Sequence, residues 1–87
     1  MKAVITVLGS DRVGIIAKVS TLLADRGVNI LDISQTIMQN VFTMIMLVDM
    51  KEKAVSDISE EVKKIEKDME LSIHVQSEDI FNLMHRV

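Results

Sequence analysis

The sequence predicts an α+β fold of the order βαββαβ, a four-stranded antiparallel sheet with two helices on one face and a short C-terminal helix. Three observations carry that prediction. Apolar, β-branched runs alternate with stretches whose apolar residues recur every three or four positions. Gly27 and the pair Gln39-Asn40 stand where a helix must stop and a hairpin must turn. Each long helical stretch lies between two strand runs, so right-handed crossovers place both helices on the same side of the sheet.

The first strand covers residues 2–8 and passes into Gly9-Ser-Asp-Arg-Val-Gly14. The two glycines permit a sharp bend, and Ser10 or Asp11 is the expected N-cap of a helix over 13–26. Ile15, Val19 and Leu22, with Ile16 and Leu23, form its buried stripe. A second strand over 28–38 has Leu31, Ile33 and Ile37 on one face, and the Gln39-Asn40 turn leads into a third over 41–50. After the charged connection Lys51-Glu52-Lys53, a second helix runs to about residue 68, with Val55, Ile58, Val62, Ile65 and Met69 inward. A fourth strand over 70–76 turns Leu71, Ile73 and Val75 inward and Ser72, His74 and Gln76 outward. Ser77, followed by Glu78 and Asp79, caps a final helix bearing Ile80, Phe81, Leu83 and Met84, with His85 and Arg86 in its last turn.

This pattern leaves one face of the sheet without a partner. Strand three carries Phe42, Met44, Met46 and Val48 on one side but also Val41, Ile45 and Leu47 on the other. Strand one sets Ala3, Ile5 and Val7 against Val4 and Leu8. A half-exposed antiparallel strand alternates apolar with polar residues, and these do not. Two helices cover one side only. A second copy of the chain, or the terminal helix folded across, must cover the rest, and a homodimer is the expectation.

Composition narrows the function classes. The 87 residues suit one domain, spanning 1–87, and 48% hydrophobic content is too high for a disordered chain. There is no cysteine, which excludes disulfides and thiolate metal sites. A net charge of −3 and two phenylalanines as the only aromatics argue against nucleic acid. No apolar run is long enough for a membrane span and no signal segment is evident, so a cytoplasmic protein is expected. His74 and His85 have no partner at metal-ligand spacing and no adjacent nucleophile, so no metal, cofactor or catalytic residue is predicted. They read as a polar sheet residue and a helix-end cation.

The turn after strand one is the place to look for a site. Unpaired N–H groups and the positive end of a helix dipole converge there and suit a small carboxylate. The segment Gly9-Ser-Asp-Arg-Val-Gly-Ile15, followed after one helix by Gly27-Val-Asn-Ile-Leu-Asp-Ile33-Ser-Gln35, resembles the ACT domain. ACT domains are small-molecule-sensing modules attached to many enzymes of amino-acid metabolism. Within that family, the chain is most similar to short stand-alone proteins of bacteria and archaea. The resemblance covers nearly the whole chain. It implies a ferredoxin-like fold and an amino acid or similar metabolite bound near a subunit interface. The implied contacts are Asp11, Arg12, Val13, Gly14 and Ile15 of the turn, with Asn29 and Ile30 from the facing subunit. Gly9 stands where some members carry a polar ligand contact, and Asp11 replaces a neutral amide. An acidic Asp11 favours an ammonium group and repels a carboxylate.

Each of these residues also has a purely structural role open to it. Asp11 serves equally as an N-cap, Arg12 pairs with an acidic neighbour, Gly14 permits close helix–strand approach or backbone exposure, and Asn29 starts a strand. Two functions therefore stand side by side. One is a non-catalytic sensor whose state an unidentified protein partner reads. The other is an oligomerising interaction module with no small ligand. A small acyl-phosphate hydrolase using Arg12 and Asn29 is disfavoured by the shortness of the glycine-bracketed turn.

Overall fold

Backbone pairing carries β1 (Lys2–Ser10) through the middle of the sheet, because its residues bond on both sides, to β3 (Val41–Asp49) and to β4 (Leu71–Ser77). The computed structural model describes residues 1–84. Its remaining elements are α1 (Ile15–Asp25), β2 (Asn29–Met38), a 3-10 turn (Val55–Asp57), α2 (Ser59–Met69) and α3 (Glu78–Met84). The strand order is β2-β3-β1-β4 and every pair is antiparallel, as the βαββαβ pattern predicts. The hairpin falls at Gln39 and Asn40, whose φ values of 50° and 69° are those of the tight turn that suits strand twist. His85 and Arg86 lie outside the described residues.

The core lies between the sheet and the helices. Ala3, Ile5, Val7, Phe42, Met44, Met46, Val48, Leu71 and Ile73 meet Ile15, Val19, Leu22, Leu23, Ile58 and Val62 there, all buried. Gly27 ends α1 at φ 70°, and the Val28 N–H reaches back to the Leu23 carbonyl at 2.8 Å, which satisfies the helix end. Ser77 caps α3, its hydroxyl accepting the Ile80 N–H at 3.2 Å.

Several expectations need correction. β1 continues to Ser10, paired with Val41, so neither Ser10 nor Asp11 caps α1; Gly14 does, and the helix starts at Ile15. Gly9 lies inside the sheet and makes no bend there. A Cβ on it would lie 2.6 Å from Leu71 Cδ2, so close packing, and not turning, demands glycine. Gly14 shows the reverse: nothing lies within 4 Å of its Cβ position, and φ of +94° is what requires it. Ile16 is not part of the buried stripe and is exposed. In β2 a bulge between Ile30 and Asp32 breaks the alternation, so Ile33 and Ile37 oppose Met46 and Phe42 while Leu31 falls at the irregularity. Val55 sits on the 3-10 turn, where the Asp57 carboxylate accepts the Ala54 N–H at 2.8 Å, and α2 begins only at Ser59.

The face away from the helices is partly covered. α3 packs against β1 and β4, and Val4, on that face opposite Leu47 and Gln76, is only 6% exposed. Towards the other end the cover stops: Leu8, Val41 and Ile45 are 48%, 48% and 42% exposed.

Candidate functional site

Between Ser10 and Ile15 the chain leaves the sheet and enters α1 in four residues. The Asp11 N–H donates to the Asn40 carbonyl at 2.8 Å, which ties this turn to the β2–β3 hairpin. Gly14 then swings to positive φ, and the Lys18 N–H bonds its carbonyl at 2.9 Å to start the helix. No side chain caps this end, and the first turn holds no acidic residue. The leading N–H groups of an α-helix have no acceptor within it. These therefore present their partial positive charge beside Asp11 and Arg12.

The turn residues differ sharply in what they offer. Asp11, Arg12 and Gly14 are exposed, and Val13 is fully so, with no neighbour over its side chain. Ile15 is 1% exposed, so its side chain belongs to the core and only its backbone faces a ligand. Arg12 pairs with Glu70 at 3.4 Å, the acidic-neighbour role open to it from the sequence.

Beneath the turn, a cavity of about 260 Å³ lies between the start of α1 and the end of β2. Asp11, Arg12, Gly14 and Ile16 form one wall, and Gln35, Ile37 and Phe42 form the sheet side. Ile16, Gln35, Ile37 and Phe42 were not singled out as site residues from sequence. Ile37 carried one usable signal, an apolar residue on a strand too near the sheet edge for the helices to cover. A wider depression of about 430 Å³ flanks α1 on its other side, from Val13 and Gly14 past Lys18 to Met69. It holds no acid to pair with its lysine. The smaller cavity sets an acid and a base against an apolar floor, the pattern that orients a small zwitterion.

Asn29 and Ile30 do not join the turn within one chain. Asn29 opposes Asp49, which also faces Lys2, whereas the turn follows Ser10, opposite Val41. Eight residue steps of strand separate those ends, about 27 Å. Asn29 is exposed, and Ile30 packs half-buried against the core.

The two sheet edges are treated differently by the chain. On β4 the Ile73 N–H, which would otherwise open to the edge, donates to Glu66 Oε2 of α2 at 2.9 Å. On β2 the Asp32 carboxylate takes the Ile33 N–H at 2.9 Å beside the bulge. Beyond it, Gln35 and Ile37 present their backbone groups on the same open side. From residue 33 to 48 the chain carries no charge, and Ile37 and Met38 are 56% and 68% exposed. Edge strands that must stay single are blunted with charge, bulges or cover, and this half of β2 has none. Among the described residues no cluster of metal-ligating side chains occurs, and no helix is long and apolar enough to cross a membrane.

Comparison with known proteins agrees with this geometry. The family model of the ACT domain matches residues 2–76. A UPF0237 protein of Clostridium acetobutylicum is 55% identical over 89 residues, covering 100% of each chain. Among solved structures, an ACT domain protein from Streptococcus pneumoniae superposes with a TM-score of 0.80 at 39% identity, covering 93% of each chain. The regulatory subunit of aspartate kinase from Thermus thermophilus is similar over 86% of this chain and 50% of its own, at 25% identity and a TM-score of 0.57. A ferredoxin-like sheet with this strand order, an uncapped glycine turn after β1, and a family match over most of the chain lead to one conclusion: the chain belongs to the ACT domain family.

Proposed function

We propose that this chain is a regulatory module that binds an amino acid or related small metabolite at the seam between two copies. The observation that carries this reading is the cavity under the β1–α1 turn lying directly beside an uncharged, unblunted strand edge. Asp11 would take the ligand's ammonium group, Arg12 its carboxylate, and the backbone of 13–15 the remaining oxygen. The apolar floor at Ile37 and Phe42 would receive a side chain.

Antiparallel pairing of two β2 edges near their middles also accounts for Asn29 and Ile30. It would bring those residues of the second copy to the end of the sheet that holds this chain's turn, which a single chain cannot do. Ligand would then bias how the two copies pack, and a separate cytoplasmic protein would read the change. Nothing in this scheme requires catalysis. The second reading, assembly without a small ligand, draws support from the apolar patch left at Leu8, Met38, Val41 and Ile45 on the outer sheet face, which edge pairing leaves open and a partner packed face to face would bury.

Thermal unfolding across a panel of the common amino acids and their immediate metabolites separates the two. A true ligand at a hundred times its Kd adds about 2.7 kcal/mol, and each kcal/mol moves the midpoint of a domain this size by about 4–8 °C. A flat response to the whole panel removes the sensor role and leaves the assembly role.

A further inference from the structure

We propose that Glu70 is a built-in competitor for the ligand's carboxylate, holding Arg12 until a bound carboxylate displaces it. This inference rests on the sensing site described under Proposed function and adds how that site is set.

Among the described residues Arg12 is the only cation lining the cavity under the turn, and its Nη2 lies 3.4 Å from Glu70 Oε2. Two features of the backbone bring that carboxylate to it. Glu70 is the C-cap of α2 and sits in the left-handed region at φ 54° and ψ 49°, a place usually given to glycine or asparagine. Gly9 lets the turn approach: a Cβ there would be 2.6 Å from Leu71 Cδ2 and 3.4 Å from the Glu70 carbonyl oxygen. Position 9 without a side chain and position 70 with an acidic one together bring a carboxylate to the cavity's cation.

The consequence is electrostatic. With Arg12 engaged, Asp11 is the uncompensated charge in the cavity, so the resting site favours an ammonium group over a carboxylate. A zwitterion satisfies both: its ammonium meets Asp11 and its carboxylate replaces Glu70 on Arg12. The Arg12 and Glu70 side chains are 45% and 78% exposed, so the exchange is easy and the competition modest.

The test is an amide chemical-shift titration of the full chain with glycine and with acetate, at constant ionic strength because screening alone weakens the pair. Glu70→Gln keeps the shape and removes the charge, and Glu70→Gly suits the backbone conformation, so a folding defect in one is checked by the other. Both variants are expected to bind each probe about two- to fivefold more tightly than the wild type at residues 11–15. Arg12→Gln added to either should erase that gain. Equal affinity in wild type and both Glu70 variants overturns the competitor and leaves the site intact. Absence of any shift at 11–15 with either probe in all proteins overturns the competitor and the sensing site together.

Discussion

Replacing Gly9 by alanine tests the packing at the heart of this fold, because sequence and structure give the residue different jobs. If Gly9 were needed for a bend, the added methyl would act through the turn. In the structure it would act on Leu71, whose Cδ2 lies 2.6 Å from the new carbon, where ordinary carbon contacts are about 3.5–4.0 Å. Leu71 is 7% exposed and cannot retreat without pressing on the core, and the Glu70 carbonyl and Leu71 Cα, both at 3.4 Å, are backbone. Overpacking of this kind costs about 1–3 kcal/mol, partly offset by about 0.5–1 kcal/mol from removing a glycine in a strand. The net expectation is a loss of about 0–2.5 kcal/mol, read as a urea midpoint up to about 2.5 M lower at fixed protein concentration. Leu71→Ala alone should cost about 2–5 kcal/mol. In that background Gly9→Ala has nothing to strike, so the double variant should be more stable than the sum by about 1 kcal/mol or more. Strict additivity with Leu71→Ala would refute the contact.

Other expectations concern the sheet edges. Glu66→Ala strands the Ile73 N–H at the β4 edge and should cost about 1 kcal/mol in urea unfolding, with Glu66→Gln recovering most of it; equal loss in both would assign the effect to helix charge instead. Ile37→Lys, at an exposed position, should change the stability of the single chain by no more than about 0.5 kcal/mol yet abolish association in sedimentation equilibrium. Wild-type assembly in that variant, or a monomeric wild type at micromolar concentration, would rule out pairing through β2.

Much of the molecule was legible beforehand because its signals are local. The hairpin needed residues that tolerate positive φ, and Gln39-Asn40 supplied them; Gly27 announced the end of α1 in the same way. The alternation of Phe42, Met44, Met46 and Val48 placed the core face of β3 correctly. The start of α1 was misread because capping chemistry at Ser10 and Asp11 competes with strand pairing, and the ladder to Val41 and the hydrogen bond to Asn40 won. The bulge in β2 and the 3-10 turn before α2 have no compositional mark of their own.

The candidate site divides along the same line. Asp11, Arg12 and Gly14 were visible as a polar, glycine-containing break between two periodic stretches. Gln35, Ile37 and Glu70 were not, because what places them there is the distance between segments far apart in the chain. Residue order alone was enough for the succession of elements, the apolar surplus of the sheet and the polar, glycine-containing break after β1, since each depends on residues within a few positions of one another. Which edge is open, which flank of α1 holds the mixed cavity and which carboxylate occupies Arg12 emerged with the packed fold. Those depend on how segments far apart in the chain come together: the missing Cβ at Gly9 lets Glu70 and Leu71 approach the turn, and the Glu66 carboxylate closes the Ile73 N–H on β4 while β2 has no such cover.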